Sequence, residues 1–524
     1  MRRRTIGLFL AVILFLGLLL QSAVPTSAED ATSGTCGADL TWSFAPDTGV
    51  LTIEGTGAMK DFSFGKSAPW AAHHAEIQAL SLPEGLTTIG KNAFYACDAL
   101  TELNLPEGLT SIGRSAFSCC LGLTELTLPE SLTALGDYAF FSCSGLQKLT
   151  LPAGLTAFGN YAFYDCTALS DVTFPEGLAS IGGYAFFRCS ALTELALPDS
   201  LTSILPGAFS DCTGLETLSF PANLTSIGGY AFYHCTGLKS VTLPASLASV
   251  ETNAFSGCTG LKQVIAWGDH TYLNTVDYDA SSEDLSIAVQ DKDLLGPAKQ
   301  TVVYGKRNSD LPATKPLRDG VSGPAETAWM LLHTYAGSYG YAFYALDAFS
   351  DVKSGSYYEL PVAWAYGTGV TGGTGAGKFS PNATCTRAQV VSFLWNAFGR
   401  PEPDLDDNPF VDVKASKYYY KPTLWAVRNG ITSGVDATHF NPDGDCTRAQ
   451  VVTFLWSAMQ KPACDSEALP FEDVSPKKYY AKAVLWAYEN GITGGTDATH
   501  FSPNTTCTRA QVVTFLYKLF GTGS

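Results

Sequence analysis

The chain lacks the patterns on which catalysis is usually built. Its seven histidines (His73, His74, His234, His270, His333, His439 and His500) are scattered and form no metal-ligand motif. His73 and His74 read as solvated, His439 and His500 as turn residues. There is no Gly-x-Ser-x-Gly elbow, phosphate loop or dinucleotide fingerprint. Asp443-Gly444-Asp445 is similar to the start of a calcium loop but lacks its length and closing glutamate. No metal or cofactor is therefore expected. Basic residues are scarce, 32 against 49 acids, for a net charge of −17. That balance argues against nucleic acid and anionic lipid as partners. Beyond the N-terminus no apolar run is long enough to cross a bilayer.

What is present begins with an export address. Arg2, Arg3 and Arg4 precede an apolar stretch from Ile6 to Leu20, and Thr26-Ser27-Ala28 offers a small-residue cleavage site. Residues 1–28 are expected to be removed, leaving a secreted chain with no membrane attachment of its own. An exported chain with fourteen cysteines would ordinarily suggest disulfides. The spacing says otherwise. Cys97, Cys120, Cys143, Cys166, Cys189, Cys212, Cys235 and Cys258 recur every 23 residues, and Cys385, Cys446 and Cys507 every 61.

The shorter period decides the fold of the first half. Pro83 to Pro244 and Phe94 to Phe255 keep the same 23-residue step. The unit runs Leu-x-x-Leu-x-Leu-Pro, then Leu-x-x-Ile-Gly, then Ala-Phe-x-x-Cys. One such unit cannot bury its apolar face, whereas stacked copies form a continuous core. In Leu100–Leu105, alternation puts Leu103 and Leu105 inward and Glu102 and Asn104 outward, and Pro106 ends the strand. Gly113, Gly136 and Gly159 mark a turn for which a positive φ is expected. Equivalent thiols in adjacent coils would have Cβ atoms ~4.8 Å apart, beyond the usual ~3.5–4.5 Å of a disulfide. The cysteine column therefore reads as buried free thiols.

This region resembles the BspA-like leucine-rich repeat family over about residues 34–265. Thr35-Cys36-Gly37-Ala38-Asp39-Leu40-Thr41-Trp42 and Gly55-Thr56-Gly57-Ala58-Met59 look like that family's N-terminal cap. The resemblance implies surface adhesion and an unknown protein or glycan ligand on the solenoid. Two exposed columns could meet it. One is the strand column from Glu102 to Gln263; the other is Tyr138, Tyr161, Tyr184 and Tyr230, followed three residues later by Phe141, Tyr164, Phe187 and Tyr233. The competing reading is that these rings pack on their equivalents in the next coil.

Residues 266–345 break the period. Lys262–Trp267 reads as a last solenoid strand, Leu285–Val289 and Thr301–Tyr304 lean to strand, and 306–324 reads as a linker. Ala325–Gly337 regains helical spacing and aligns with Arg387–Gly399, as a degenerate half-copy of the 61-residue repeat.

That longer period governs the C-terminal third. Phe349, Phe410 and Phe471 open Phe-x-Asp-Val blocks, Trp364, Trp425 and Trp486 come next, and Cys-Thr-Arg-Ala-Gln recurs at 385, 446 and 507. Each module reads as two helices and a turn-rich loop. Gly430 stops a first helix, and Thr447 with Gln450 caps a second. Arg448 stands in that helix's first turn, where a cation opposes the dipole. It would either receive an anion bidentately or pair with Asp412 or a neighbouring module's acid.

These motifs resemble S-layer homology (SLH) domains over about 346–522, with Gln389, Gln450 and Gln511 where the family usually has glutamate. The resemblance implies a pseudo-threefold unit whose grooves bind secondary cell-wall polysaccharide, often pyruvylated. Arg387, Arg448 and Arg509 would then contact the acidic sugar, and Trp364, Trp425 and Trp486 would line the grooves. The first module has Gly367-Thr368-Gly369-Val370 for Asn-Gly-Ile and Lys378 for His439 and His500, so its groove is expected to differ.

The expected fold is thus multidomain: a leucine-rich-repeat solenoid of short parallel strands in 23-residue coils, then an all-α pseudo-threefold SLH unit. The divisions are a signal peptide 1–28, cap 29–75, repeats 76–265, solenoid end, linker and degenerate helix 266–345, and modules 346–405, 406–466 and 467–524. A non-enzymatic adhesin at the cell wall is the leading reading. A structural spacer is the alternative. A wall hydrolase would need its site hidden in 266–345, betrayed by a concave pocket with two close carboxyls.

Overall fold

A computed structural model describes residues 31–63, 68–267, 346–403, 408–466 and 468–521, together with seven short strands between 272 and 345. The expected leader at 1–28 lies outside the described residues.

The chain opens with a β-meander. Strand β1 (Ser33–Thr35) pairs antiparallel with β2 (Gly37–Ala45), and β2 with β3 (Val50–Met59). Strand β3 then pairs in parallel with Ala79–Ser81 and Leu86–Ile89, which stitches the meander onto the first coil. Trp70 completes the cap. Its indole stacks on Phe94 at 5.5 Å, and its Nε1–H donates to the Ala93 carbonyl at 2.8 Å. His73, read from sequence as solvated, is buried and stacks on Phe44 at 4.6 Å.

Behind the cap, the coils contribute two rows of short parallel strands held at a 23-residue register. Leu149 pairs with Leu126 and Val172 in one row, and Ile204 with Ile181 and Ile227 in the other. Between the rows the eight phenylalanines from Phe94 to Phe255 form one stack, with centroids 5.1–5.7 Å apart. All eight are fully buried. The cysteine column serves that core. Each thiol from Cys120 to Cys258 donates to the carbonyl of the phenylalanine 26 residues earlier, at 3.1–3.4 Å. Every described cysteine is a free thiol, and burial pushes Cys97 and Cys143 up to about 12.

The glycine expectation needs correcting. Gly113, Gly136 and Gly159 are absent from the positive-φ residues. They are required for close approach instead: a Cβ on Gly136 would lie 2.6 Å from the backbone nitrogen of Arg114. The left-handed positions come two residues later, at Tyr138, Tyr161, Tyr184 and Tyr230, with φ between 53° and 59°. That conformation costs roughly 1–2 kcal/mol per residue. It is tolerated because it aims each N–H at a carbonyl of the next coil, as Tyr161 does to Gly183 at 2.9 Å.

The solenoid also runs further than its period. Gln263–Ala266 is not the last strand: it pairs in parallel with Val302–Gly305, and that strand with Ala342–Ala345. In the other row Tyr272–Asn274 receives Trp329–Leu331 antiparallel. The helical reading of Ala325–Gly337 is therefore overturned at Trp329–Leu331, which is a strand; the rest of that segment lies outside the described residues.

Ala342–Ala345 leads directly into six helices: α1 (Glu359–Gly367), α2 (Arg387–Ala397), α3 (Tyr420–Arg428), α4 (Arg448–Ala458), α5 (Ala481–Glu489) and α6 (Arg509–Phe520). None among the described residues is long and apolar enough to cross a membrane. Helix α2 packs on α3, α4 on α5, and α6 closes the cycle on α1. The solenoid's end is seated on this unit. Ile265 is buried within the helical core, and the Gln263 amide donates to the Tyr517 hydroxyl at 2.9 Å.

Candidate functional site

The three 61-residue modules close around a pseudo-threefold axis, and the closure is visible in the backbone. Cys446 N–H donates to Cys385 O, Cys507 N–H to Cys446 O, and Cys385 N–H to Cys507 O, at 2.8–3.0 Å. Each of α2, α4 and α6 begins beside this ring. Thr386, Thr447 and Thr508 accept from the N3 amide, while Gln389, Gln450 and Gln511 reach back to the cap amide, so each capping box is complete without glutamate.

The first-turn arginines cross module boundaries. Arg387 Nε donates to Phe440 O at 2.9 Å, Arg448 to Phe501 O at 2.8 Å, and Arg509 to Phe379 O at 2.9 Å. Each guanidinium is sandwiched between two phenylalanines, as Arg448 is by Phe501 and Phe515 at 4.8 and 5.6 Å. Nη2 of Arg387 and Arg448 also reaches Thr432 and Thr493, at 3.3 and 3.4 Å. Burial pulls all three below the ordinary arginine value. Among the described residues none has a carboxylate within ion-pair distance. The expected partner acids do other work: Asp412 accepts from Phe440 N–H and Asn441 N–H, at 2.9 and 2.7 Å.

Near each arginine stands an exposed tyrosine that sequence reasoning passed over. Tyr357, Tyr418 and Tyr479 are 63–66% exposed. Their phenols lie within electrostatic reach of Arg448, Arg509 and Arg387 respectively. Each arginine is thus met by a carbonyl from the next module and a tyrosine from the third; Arg387 and Arg448 also meet a threonine, whereas Arg509 Nη2 is buried without a hydrogen-bond partner among the described residues. The signal was the 61-residue spacing of these tyrosines. By contrast, Trp364, Trp425 and Trp486 are only 4–7% exposed and do not line a groove. Trp364 meets Tyr517 at 5.9 Å where α1 packs on α6, and Trp425 meets Phe398 at 5.5 Å.

On the solenoid, Tyr138, Tyr161 and Tyr184 stack face to face at 4.6 and 5.2 Å. Arg114 covers the outer face of Tyr138 at 5.0 Å, and the Tyr184 ring lies where a side chain at Gly207 would stand. Their faces are consequently occupied. Tyr230 stands apart from this stack, edge-on to Tyr233 at 5.6 Å.

Family models match both halves: the BspA type leucine-rich repeat region at 71–193 and 181–282, and the S-layer homology domain at 348–391, 409–452 and 470–513. The chain is a BspA type leucine-rich repeat protein with three SLH domains. Among its relatives, the "Surface-layer 125 kDa protein" of Lysinibacillus sphaericus is 34% identical over 161 residues, 30% of this chain and 13% of that one. The "S-layer protein" of Bacillus thuringiensis subsp. finitimus is 26% identical over 182 residues, 33% and 22% of the two chains. An "Endoglucanase" from Bacillus sp. (strain KSM-635) is 31% identical over 180 residues, 33% and 19%, and its match falls in the SLH region. The chain therefore spans less than a quarter of the length of each of these relatives. A solved leucine-rich repeat protein from Eubacterium ventriosum is similar at 23% identity and a TM-score of 0.32, over 45% of this chain and 79% of that one. The SLH domains and surface-layer relatives make this BspA type protein a secreted, wall-anchored surface protein.

Proposed function

We propose that the protein is a non-catalytic binding protein displayed on the wall, held there by secondary cell-wall polysaccharide in the three SLH grooves. The observation that carries this reading is the cyclic closure, which brings together an arginine from one module, a phenylalanine carbonyl from the next and an exposed tyrosine from the third, three times over. A guanidinium with no carboxylate partner favours an anion, and an exposed phenol suits the edge of a sugar ring. An acidic substituent such as a pyruvate ketal is the expected anchor. Arg387, Arg448 and Arg509 supply the positive floor, and Tyr357, Tyr418 and Tyr479 the contact surface.

The test is co-sedimentation of the mature chain with protein-free wall, with and without its polysaccharide. The arginines are poor test positions, since truncating one removes an inter-module hydrogen bond and lowers stability. The tyrosines are exposed. We expect Tyr357→Ala, Tyr418→Ala and Tyr479→Ala together to abolish sedimentation with little change in melting temperature. Undiminished sedimentation of the triple variant would overturn the reading.

The solenoid would present a ligand surface outward. A spacer role is the second reading, and the closed stack of Tyr138, Tyr161 and Tyr184 supports it. Rings whose faces are filled offer only edges to a partner.

A further inference from the structure

The turn that precedes each acceptor carbonyl differs among the three modules. Phe379, Phe440 and Phe501 supply the carbonyls, and the turns before them are Gly375–Lys378, Asp436–His439 and Asp497–His500. In the third module the aspartate latches its turn. Asp497 Oδ1 accepts from Thr499 N–H at 2.9 Å and from His500 N–H at 2.8 Å, and meets His500 Nδ1 at 2.9 Å. Asp436 makes the same three contacts in the second module. The first module has glycine in the aspartate's place, and its turn closes through Lys378 N–H to Gly375 O at 3.0 Å.

These turns set the charge around each arginine. Asp351, Asp412 and Asp473 lie within electrostatic reach of Arg509, Arg387 and Arg448 respectively, without pairing with them. Lys378 stands within reach of Asp351 and offsets it. In the third module the balance is reversed. His500 faces Asp497, Asp473 and Glu472 together, and Glu472 N–H donates to Thr499 O inside the turn at 2.8 Å. The second module is intermediate, because Val411 stands where the third has Glu472. The mount that meets Arg509 thus carries one acid offset by a lysine. The one that meets Arg387 carries Asp412 and Asp436, and the one that meets Arg448 carries Asp473, Asp497 and Glu472. Carboxylates beside a site repel an anionic ligand, and a nearby cation draws it in. The hydrogen bond to Asp497, with the fields of Asp473 and Glu472 behind it, raises His500 above the ordinary histidine value. Its positive charge is therefore complete below that ordinary value and is lost as the pH rises through the raised one.

We infer that the three grooves are unequal: the acidic sugar settles first in the Arg509 groove, which Lys378 favours, and the Arg448 groove gains affinity as the pH falls and His500 takes up a proton. The inference rests on the proposed reading of the grooves. It adds an order among them that the Thr-Arg-Ala-Gln motif cannot supply, since that motif is identical in all three modules.

The experiment uses the mature full-length chain and acidic polysaccharide released from protein-free wall. Affinity is read by titration calorimetry at about pH 5.5 and about pH 8.5, either side of the histidine range, with melting temperatures recorded at both. Tyr418→Ala disables the Arg509 groove and Tyr357→Ala the Arg448 groove. At the higher pH, Tyr418→Ala should cost more affinity than Tyr357→Ala. At the lower pH the loss caused by Tyr357→Ala should grow about two- to five-fold, the worth of an exposed ion pair. His500→Gln should abolish that growth, whereas a merely structural role for His500 would shift the melting temperature and leave the pH dependence of binding in place. Lys378→Gln should shrink the loss caused by Tyr418→Ala at both pH values. Equal losses from the two tyrosine variants at both pH values would overturn the ordering and leave the groove reading standing. Failure of the wild-type chain to bind the polysaccharide at either pH would sink the groove reading itself.

Discussion

Gly136 illustrates how a residue can be required for a reason its neighbours conceal. It sits under the preceding coil, where an added Cβ would stand 2.6 Å from Arg114 N and 2.9 Å from the Gly113 carbonyl carbon. Both are backbone atoms fixed by the coil's own hydrogen bonds, so neither can yield cheaply. Gly136→Ala is expected to cost about 1–3 kcal/mol, the range for overpacking a close-packed site, read as a fall in the solenoid's melting temperature. A neutral or stabilising outcome would mean the coils separate more easily than their register implies. The tyrosine two residues on makes the converse point. Tyr138 carries the left-handed backbone that was assigned to glycine, and it does so because its N–H reaches Asn160 O at 3.0 Å. Residue type alone could not separate close approach from positive φ, since both call for glycine; which demand a position meets depends on the neighbouring coil.

At the scale of the element, the three capping boxes hold the helices that carry Arg387, Arg448 and Arg509 in their first turns. Thr447 Oγ1 accepts from Gln450 N–H at 3.3 Å, and Gln450 Oε1 accepts from Thr447 N–H at 3.0 Å. Thr447→Ala removes the first bond, and about 0.5–2 kcal/mol of stability should go with it. Amide exchange should rise in the first turn of α4 and remain low in α2 and α6; a uniform rise would instead mean the cap supports the whole closure. These helices were legible because the Thr-x-x-Gln signature is local and leads straight into the apolar stripe beginning at Val451. The strand at Trp329–Leu331 was not legible. Its spacing fits a helix face, but its partners are Tyr272–Asn274 and Thr314–Lys315, and pairing at that separation leaves no local trace. The groove was half legible for the same reason. Arg509 could be named from its motif, whereas its partner Phe379 lies 130 residues away across the closing interface. Tyr357 had the correct period but gave no sign that it would face Arg448.

The whole molecule joins a solenoid to a helical unit through one packed seam, and that seam decides whether the halves behave as one body. The strand ladder continues in register from Gln263 through Val302 to Ala342, and Ala342–Ala345 enters the first module and packs on α1. An open ladder end exposes unpaired backbone and apolar edges. Here the module covers it: Ile265 is 8% exposed, and Trp267 and Tyr344 pack on the helical core. The SLH unit therefore serves as the solenoid's C-terminal cap as well as its anchor. Ile265→Ala in the full-length chain should cost about 2–5 kcal/mol, as for other large-to-small core changes. The telling measurement is where the loss falls. Because Ile265 belongs to a solenoid strand but contributes to the helical core, hydrogen exchange should accelerate both in Ser240–Leu243 and in α1 and α6. Acceleration confined to the solenoid strands would show that the two halves unfold independently, with the seam a contact rather than a cap.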